Sequence, residues 1–244
     1  MTAIQTIDLT KKYGDRIAVN QLNLAIEQGE LFSLLGVNGA GKTTIIKMLC
    51  CLIKPTSGEA TLLGDSISED LLAVKSKINV SPQETAVAPN LTVKENLELI
   101  AGLYGSDKKD AKQKAKEMIQ DFALSEVQND KAKTLSGGWQ RRLSISMALI
   151  SNPQILFLDE PTLGLDVIAR RELWSTIERL KGKVTIILTT HYLEEAEALS
   201  DRIAIMAKGK LKAIGTAKEL IANTNTEKFE DAFIVLASES EITL

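Results

Sequence analysis

Two stretches of this chain have the residue types to hold an anion. Gly36-Val-Asn-Gly-Ala-Gly-Lys-Thr43 fits the pattern G-x-x-x-x-G-K-[ST] in full, between an apolar run and a helical pattern. In such a loop the main chain of Gly36, Asn38, Gly39, Ala40, Gly41 and Thr44 can curl around a β-phosphate. Lys42 then reaches the β and γ oxygens, and Thr43 offers a hydroxyl to magnesium. The ligand implied is a nucleoside triphosphate. The second stretch, LSGGWQRR from Leu135 to Arg142, puts Ser136, Gly137 and Gly138 at the start of a predicted helix, which is also an anion site.

Polar groups that could act on a triphosphate follow other apolar runs. Asp159 and Glu160 close the run ILFL, so both carboxylates emerge at the C-terminal end of a buried strand, where open α/β sheets bind ligands. Asp159 suits a magnesium ion shared with Thr43, because that ion takes few carboxylates and keeps several waters. Glu160 is left as the candidate base for an attacking water. Capping of the next helix is the other use for adjacent acids there. His191, the one histidine, follows VTIILTT and could donate to the γ-phosphate or the transition-state oxygens. Gln83, after INVSP, stands at the corresponding end of a further strand and could sense magnesium or the lytic water.

These groups need a sheet to align them. AIQTIDL and VNQLNLAI alternate as half-exposed strands of an antiparallel edge sheet do. LFSLL, KINV, QILFL, VTIILTT and RIAIM are unbroken apolar runs, as in strands buried on both faces, and helical patterns separate several of them. Between Leu91 and Ile150 the rhythm stops, and three successive helices are predicted. The expected class is α/β: a phosphate-loop NTPase core of mostly parallel sheet flanked by helices, with an antiparallel β edge subdomain and an inserted α-helical subdomain. A nucleotide-binding domain spans 1–215, with its core at 1–87 and 152–215 and the helical part at 88–151; residues 216–244 form a short extension with one helix and the run FIVLA.

Bulk properties narrow the choice. A chain of 244 residues, 44% hydrophobic and 25% charged, can bury a substantial core. Twenty-nine basic against 32 acidic side chains give a net charge of -3, which argues against a nucleic-acid partner. The apolar runs fall far short of the roughly 20 residues that span a bilayer. Cys50 and Cys51, expected inside a helix, read as buried core thiols of a reducing cytosol, since no signal pattern opens the chain. The charged run DKKDAKQKAKE reads as a solvated helix face.

With the motifs in this order, the chain from about Ile4 to Gly215 resembles the nucleotide-binding subunit of an ABC transporter, whose LSGG signature sets it apart from other phosphate-loop ATPases. The resemblance implies that Tyr13 stacks on adenine, an edge-strand packing role being its other reading. It also implies that Gln83 faces a membrane subunit, that the following TAVAPNLTVKEN receives a coupling helix, that Asp166 in PTLGLD crosses a dimer interface, and that His191 is the switch histidine. Two subunits would face each other head to tail, the Ser136-Gly137-Gly138 helix start of one closing on the γ-phosphate held by the other. Trp139 stands where the family's LSGGQ has glutamine, with Gln140 one place later; whether Trp139 meets the partner's nucleotide or only fills an interface stays open.

The function so implied is an ATP hydrolase using ATP and Mg²⁺, a homodimer or a pair with a paralogous ATPase subunit, bound to transmembrane permease subunits on a separate chain. It would sit in the cytoplasm, peripheral on the inner face of the cell membrane. The LSGGWQRRLSISMALI, PTLGLD and THYLEEAEALSDRIAIM segments look most like bacterial subunits that export drugs, lipids, polysaccharides or sodium. A soluble ABC-type ATPase of the ribosome or of DNA is the alternative, but one phosphate loop and about ninety residues from Thr44 to Leu135 suit neither form. A non-hydrolysing regulatory switch is a third reading, opposed by the presence of Glu160 and His191.

Overall fold

Unbroken apolar runs become strands where a core can form on both sides of a sheet. In the computed structural model, which describes residues 1–238, six strands do so in the order β10-β9-β3-β8-β7-β6. Their ranges, with the elements between them, follow the chain. A hairpin of β1 (Thr2–Tyr13) and β2 (Arg16–Glu27) precedes β3 (Leu31–Leu35), the glycine loop and α1 (Lys42–Leu49). Next come β4 (Ser57–Leu62), β5 (Asp65–Ser66), α2 (Leu71–Lys77) and β6 (Ile78–Ser81). Three helices, α3 (Val93–Leu103), α4 (Lys108–Asp121) and α5 (Gly137–Leu149), lead to β7 (Ile155–Asp159) and α6 (Val167–Glu178). The chain then runs through β8 (Thr185–Thr190), α7 (Leu193–Leu199), β9 (Arg202–Ala207), β10 (Lys210–Gly215), α8 (Ala217–Thr224) and α9 (Phe229–Ser238).

Side-chain alternation explains the runs. Along β7, Ile155 and Phe157 enter one core, beneath α1 and the hairpin, while Leu156 and Leu158 enter the other, among α3 to α6. Ile187 and its neighbours Ile186 and Leu188 divide in the same way on β8. Every pairing in this sheet is parallel except β9 with β10. The hairpin belongs to a second, antiparallel sheet in the order β2-β1-β4-β5. The expected fold class therefore holds.

Two local expectations change. Helix α1 ends at Leu49, so Cys50 is its C-cap and Cys51 lies beyond it at φ 54°, not inside a helix. Cys50 is buried, which pushes its thiol up, but Cys51 is only half-buried. The run FIVLA is part of α9, with Phe233, Leu236 and Ala237 packed on the cluster that includes Leu35 and Ile203 while Ile234 faces out. On α4 the buried face is Ala111, Ala115 and Ile119, leaving the charged run at the surface. No helix among the described residues is long and apolar enough to cross a membrane.

Candidate active site

The register of the parallel strands assembles the site. Leu35 pairs with Thr190, Asp159 with Thr189, and Ser81 with Leu158. The segments leaving β3, β8, β7 and β6 therefore start at one level, and they carry the glycine loop, His191, Glu160 and Gln83. A cleft of about 380 Å³ results, lined by Asn38, Gly39, Ala40, Gly41, Lys42, Thr43 and Thr44 from the loop and by Gln83, Glu160 and His191 opposite.

Backbone demands explain the loop's glycines. Gly41, the N-cap of α1, has φ 105°, and a β-carbon on it would stand 2.5 Å from the Ala18 carbonyl oxygen. A β-carbon on Gly36 would meet the Met206 carbonyl at 2.4 Å. No side chain among the described residues caps α1, which leaves its first amides available to an anion. Lys42, buried, donates to the Gly36 carbonyl at 2.7 Å and pairs with Glu160 Oε1 at 3.2 Å.

Two carboxylates lie side by side with different partners. Asp159 Oδ1 accepts from Thr189 Oγ1 at 2.5 Å and from Thr43 Oγ1 at 3.3 Å. Glu160 is buried, with φ 50°, and its N–H is held by the Thr189 carbonyl and hydroxyl. Its second oxygen, Oε2, lies 2.6 Å from His191 Nδ1. A carboxylate acceptor makes that nitrogen the donor and leaves Nε2 to meet a ligand. The oxygens of Thr43 and Asp159, with Gln83 on the same cleft, are the hard donors a small divalent cation takes. Among the described residues no group of three or more His, Cys, Asp or Glu could hold a metal, so the remaining ligands would be phosphate oxygens and water.

Some expected residues lie elsewhere. Ser136, Gly137, Gly138 and Asp166 do not line this cleft. Ser136 is the N-cap of α5, and its side chain makes no capping hydrogen bond among the described residues. The nearest side-chain atoms to β-carbons placed on Gly137 and Gly138 belong to Leu165 and Ala169, so the signature abuts the start of α6. There Asp166 accepts from the Ile168 and Ala169 amides at 2.9 Å, as an N-cap. Tyr13, half exposed, ends β1 opposite Arg16 and lies under Lys11, outside the cleft. Trp139 packs against the helical core with Arg142 across its ring, while Gln140 ties the Ala132 and Leu135 carbonyls to Thr85.

Three contributors escape a reading of the sequence. Arg16 lines the cleft because the β1–β2 hairpin brings it there, and no local pattern announces that. Thr189 is one apolar-looking strand residue among several. Arg141, buried on α5, donates to the Pro82 and Gln83 carbonyls at 2.7 and 2.6 Å, joining the signature helix to the glutamine loop. Loss of hydration pushes its guanidinium down, against the charges of Asp159 and Glu195. The doubled arginine of WQRR is its only signal. A larger cleft, about 750 Å³, opens at the opposite strand ends beside Gln154 and Thr185, away from every group described here.

Residues 19–163 match the family model described as ABC transporter. The chain is 44% identical over 203 residues to the human phospholipid-transporting ATPase ABCA3, covering 83% of this chain and 12% of that protein. It is 39% identical over 241 residues to the probable multidrug ABC transporter ATP-binding protein YbhF of Escherichia coli K12, covering 96% and 42%. The chain thus spans less than half the length of these curated relatives. Among solved structures, the dimeric post-hydrolysis state of the ATP-binding cassette MJ0796, bound to ADP and Pi, superposes with TM-score 0.78 at 29% identity, covering 87% of this chain and 98% of that one.

Proposed function

The chain belongs to the ABC transporter family, and on that premise we propose that it binds and hydrolyses ATP to drive separate membrane subunits, in the direction of export. Residues 1–215 form its nucleotide-binding domain and 216–244 an extension. The observation that carries this reading is the single cleft in which Lys42, Thr43, Glu160 and His191 converge. Names of the relatives, a phospholipid-transporting ATPase and a probable multidrug transporter component, favour lipid-like or drug-like solutes.

In this mechanism the loop amides and Lys42 hold the β- and γ-phosphates, Tyr13 stacks on adenine, and Arg16 borders the site. Mg²⁺, when bound between Thr43, Asp159 and Gln83, would neutralise charge developing on the phosphate oxygens. Glu160 accepts the proton of the attacking water, and His191, fixed by Glu160, faces the γ-phosphate. Ser136, Gly137 and Gly138 are open at a helix start that its own cleft does not use, which suits a head-to-tail dimer in which they close the partner's site. Asp166 would then lie at that dimer interface. The groove after Gln83 receives the permease, placing the assembly at the cytoplasmic membrane face.

Mixing two inactive proteins tests the shared site. Lys42→Ala lacks the phosphate lysine, and Ser136→Arg blocks the signature. If sites are shared, mixed dimers gather both defects in one site and leave the other whole, so about one quarter of all sites regain function under two-fold symmetry. Turnover and nucleotide occlusion are both measured. Failure of both to return would place Ser136 on its own chain's phosphate, or nowhere near one.

A further inference from the structure

Behind the Glu160–His191 pair lies a carboxyl that takes no part in the chemistry above. Glu195, on α7, is fully buried, and Trp174 of α6 donates its indole N–H to Oε1 at 3.0 Å. Oε2 of Glu195 and Oγ1 of Thr162 are both buried without a hydrogen-bond partner among the described residues. Yet the hydroxyls of Thr162 and Thr190 lie close enough to act on the carboxyl, as does the charge of Glu160. The connectivity gives this cluster its meaning. Thr162 follows Glu160 by two residues, Thr190 immediately precedes His191, and Glu195 opens the helix that His191 leads into.

Resting on Glu160 as the base, we propose that Glu195 is a positioning residue that ties the turn after Glu160 to the helix after His191, and so holds these two groups at their working separation. The neutral acid is the form that suits its surroundings. Its Oε1 accepts from the indole, and an O–H on Oε2 would offer Thr162 Oγ1 the partner that both atoms lack, whereas a carboxylate would lie buried in no salt bridge among the described residues, the charge of Arg141 acting on it without forming one. Burial pushes the carboxyl up first, and Glu160 adds to this, while Thr190, Thr162 and Trp174 oppose it. Trp174 anchors the arrangement in α6, whose start abuts the signature. Both members of the hydrolytic pair are thus referred to one buried side chain.

The test uses the full chain with Glu195→Gln, Glu195→Asp, Glu195→Ala and Thr162→Val. For each, kcat, ATP affinity by displacement of a fluorescent ATP analogue, and folded content by circular dichroism are measured. Glutamine can accept from the indole and offer an N–H toward Thr162 as the neutral acid would, so Glu195→Gln should keep kcat within about threefold of wild type. Aspartate is too short to reach both partners, and Glu195→Asp, Glu195→Ala and Thr162→Val should lower kcat roughly 10- to 100-fold with ATP affinity held within about threefold, as misplacement of a reacting group does. Should Glu195→Ala fail to fold, the aspartate and valine variants decide. Wild-type kcat in Glu195→Asp and Thr162→Val, equal loss in Glu195→Gln and Glu195→Asp, or joint loss of affinity and turnover would each overturn the proposal. Glu160→Gln is run beside them: rapid hydrolysis by that variant removes the base assignment itself, whereas an inert Glu160→Gln with unimpaired Glu195 variants removes only this inference.

Discussion

Lys42 Nζ and Glu160 Oε1 stand 3.2 Å apart, so the group that would clamp a phosphate already holds the group that would activate water. Both are buried, and an incoming phosphate must compete for the lysine.

Glu160→Gln should therefore do two things. Turnover falls below detection because the base is gone. ATP affinity rises roughly 2- to 12-fold, the span of one net hydrogen bond of about 0.5–1.5 kcal/mol, since Lys42 no longer has a carboxylate to leave. Equilibrium binding with the variant, beside a hydrolysis assay, reads both; weaker binding would show that the ion pair assists the phosphate.

Arg141→Met should destabilise the protein by about 2–4 kcal/mol, because the Pro82 and Gln83 carbonyls lose their donors inside the fold. ATP affinity should change little, as Arg141 does not line the cleft. Thermal denaturation and nucleotide titration of the same sample separate the effects.

Glu195→Gln should alter the pH dependence of stability. The carboxyl is raised in the folded protein above its ordinary value of 4.5, so between that value and the folded-state one the native state holds a proton that the unfolded chain has lost. Its contribution is complete below that value and is lost as pH rises through the folded-state value. Relative to wild type, the amide variant should gain in midpoint temperature as pH is raised above the ordinary value through the folded-state one. A constant difference across that range would mean that Glu195 ionises alike in both states.

Gly41→Ala should cost at least about 2 kcal/mol and abolish nucleotide binding. The new methyl would meet the Ala18 carbonyl at 2.5 Å, on a backbone held at φ 105°. Denaturant unfolding and an ATP-binding titration check it, and near-native binding would show that the loop can relax.

Much of the fold is legible because strands buried on both faces leave unbroken apolar runs, as ILFL and TIILTT do. Short or edge strands leave no such mark. In β4, SGEATL, and β10, KLKAIG, exposed polar residues break the run, and β5 has only two residues. MLCCLI continues the apolar pattern of α1 past its end, so Cys50 and Cys51 look helical in sequence; the chain instead turns at Cys51 with positive φ. Within the site, motif residues could be named, but not the 2.6 Å contact of Glu160 with His191, which depends on register between β7 and β8. The contacts of Arg141 and Glu195 cannot be read for a related reason: their partners are 58 and 21 residues away in sequence.

Strand β3, which launches the phosphate loop, lies between β8 and β9, and these begin only at Thr185 and Arg202. During translation at roughly 5–20 residues per second, the loop must therefore wait on the order of ten seconds before its supporting neighbours exist. Until then LFSLL is a sticky apolar segment with both flanks open, a target for chaperones and for clumping. The cleft beside the glycine loop therefore cannot take shape until β8 and β9 have been made, however early the loop itself is synthesised.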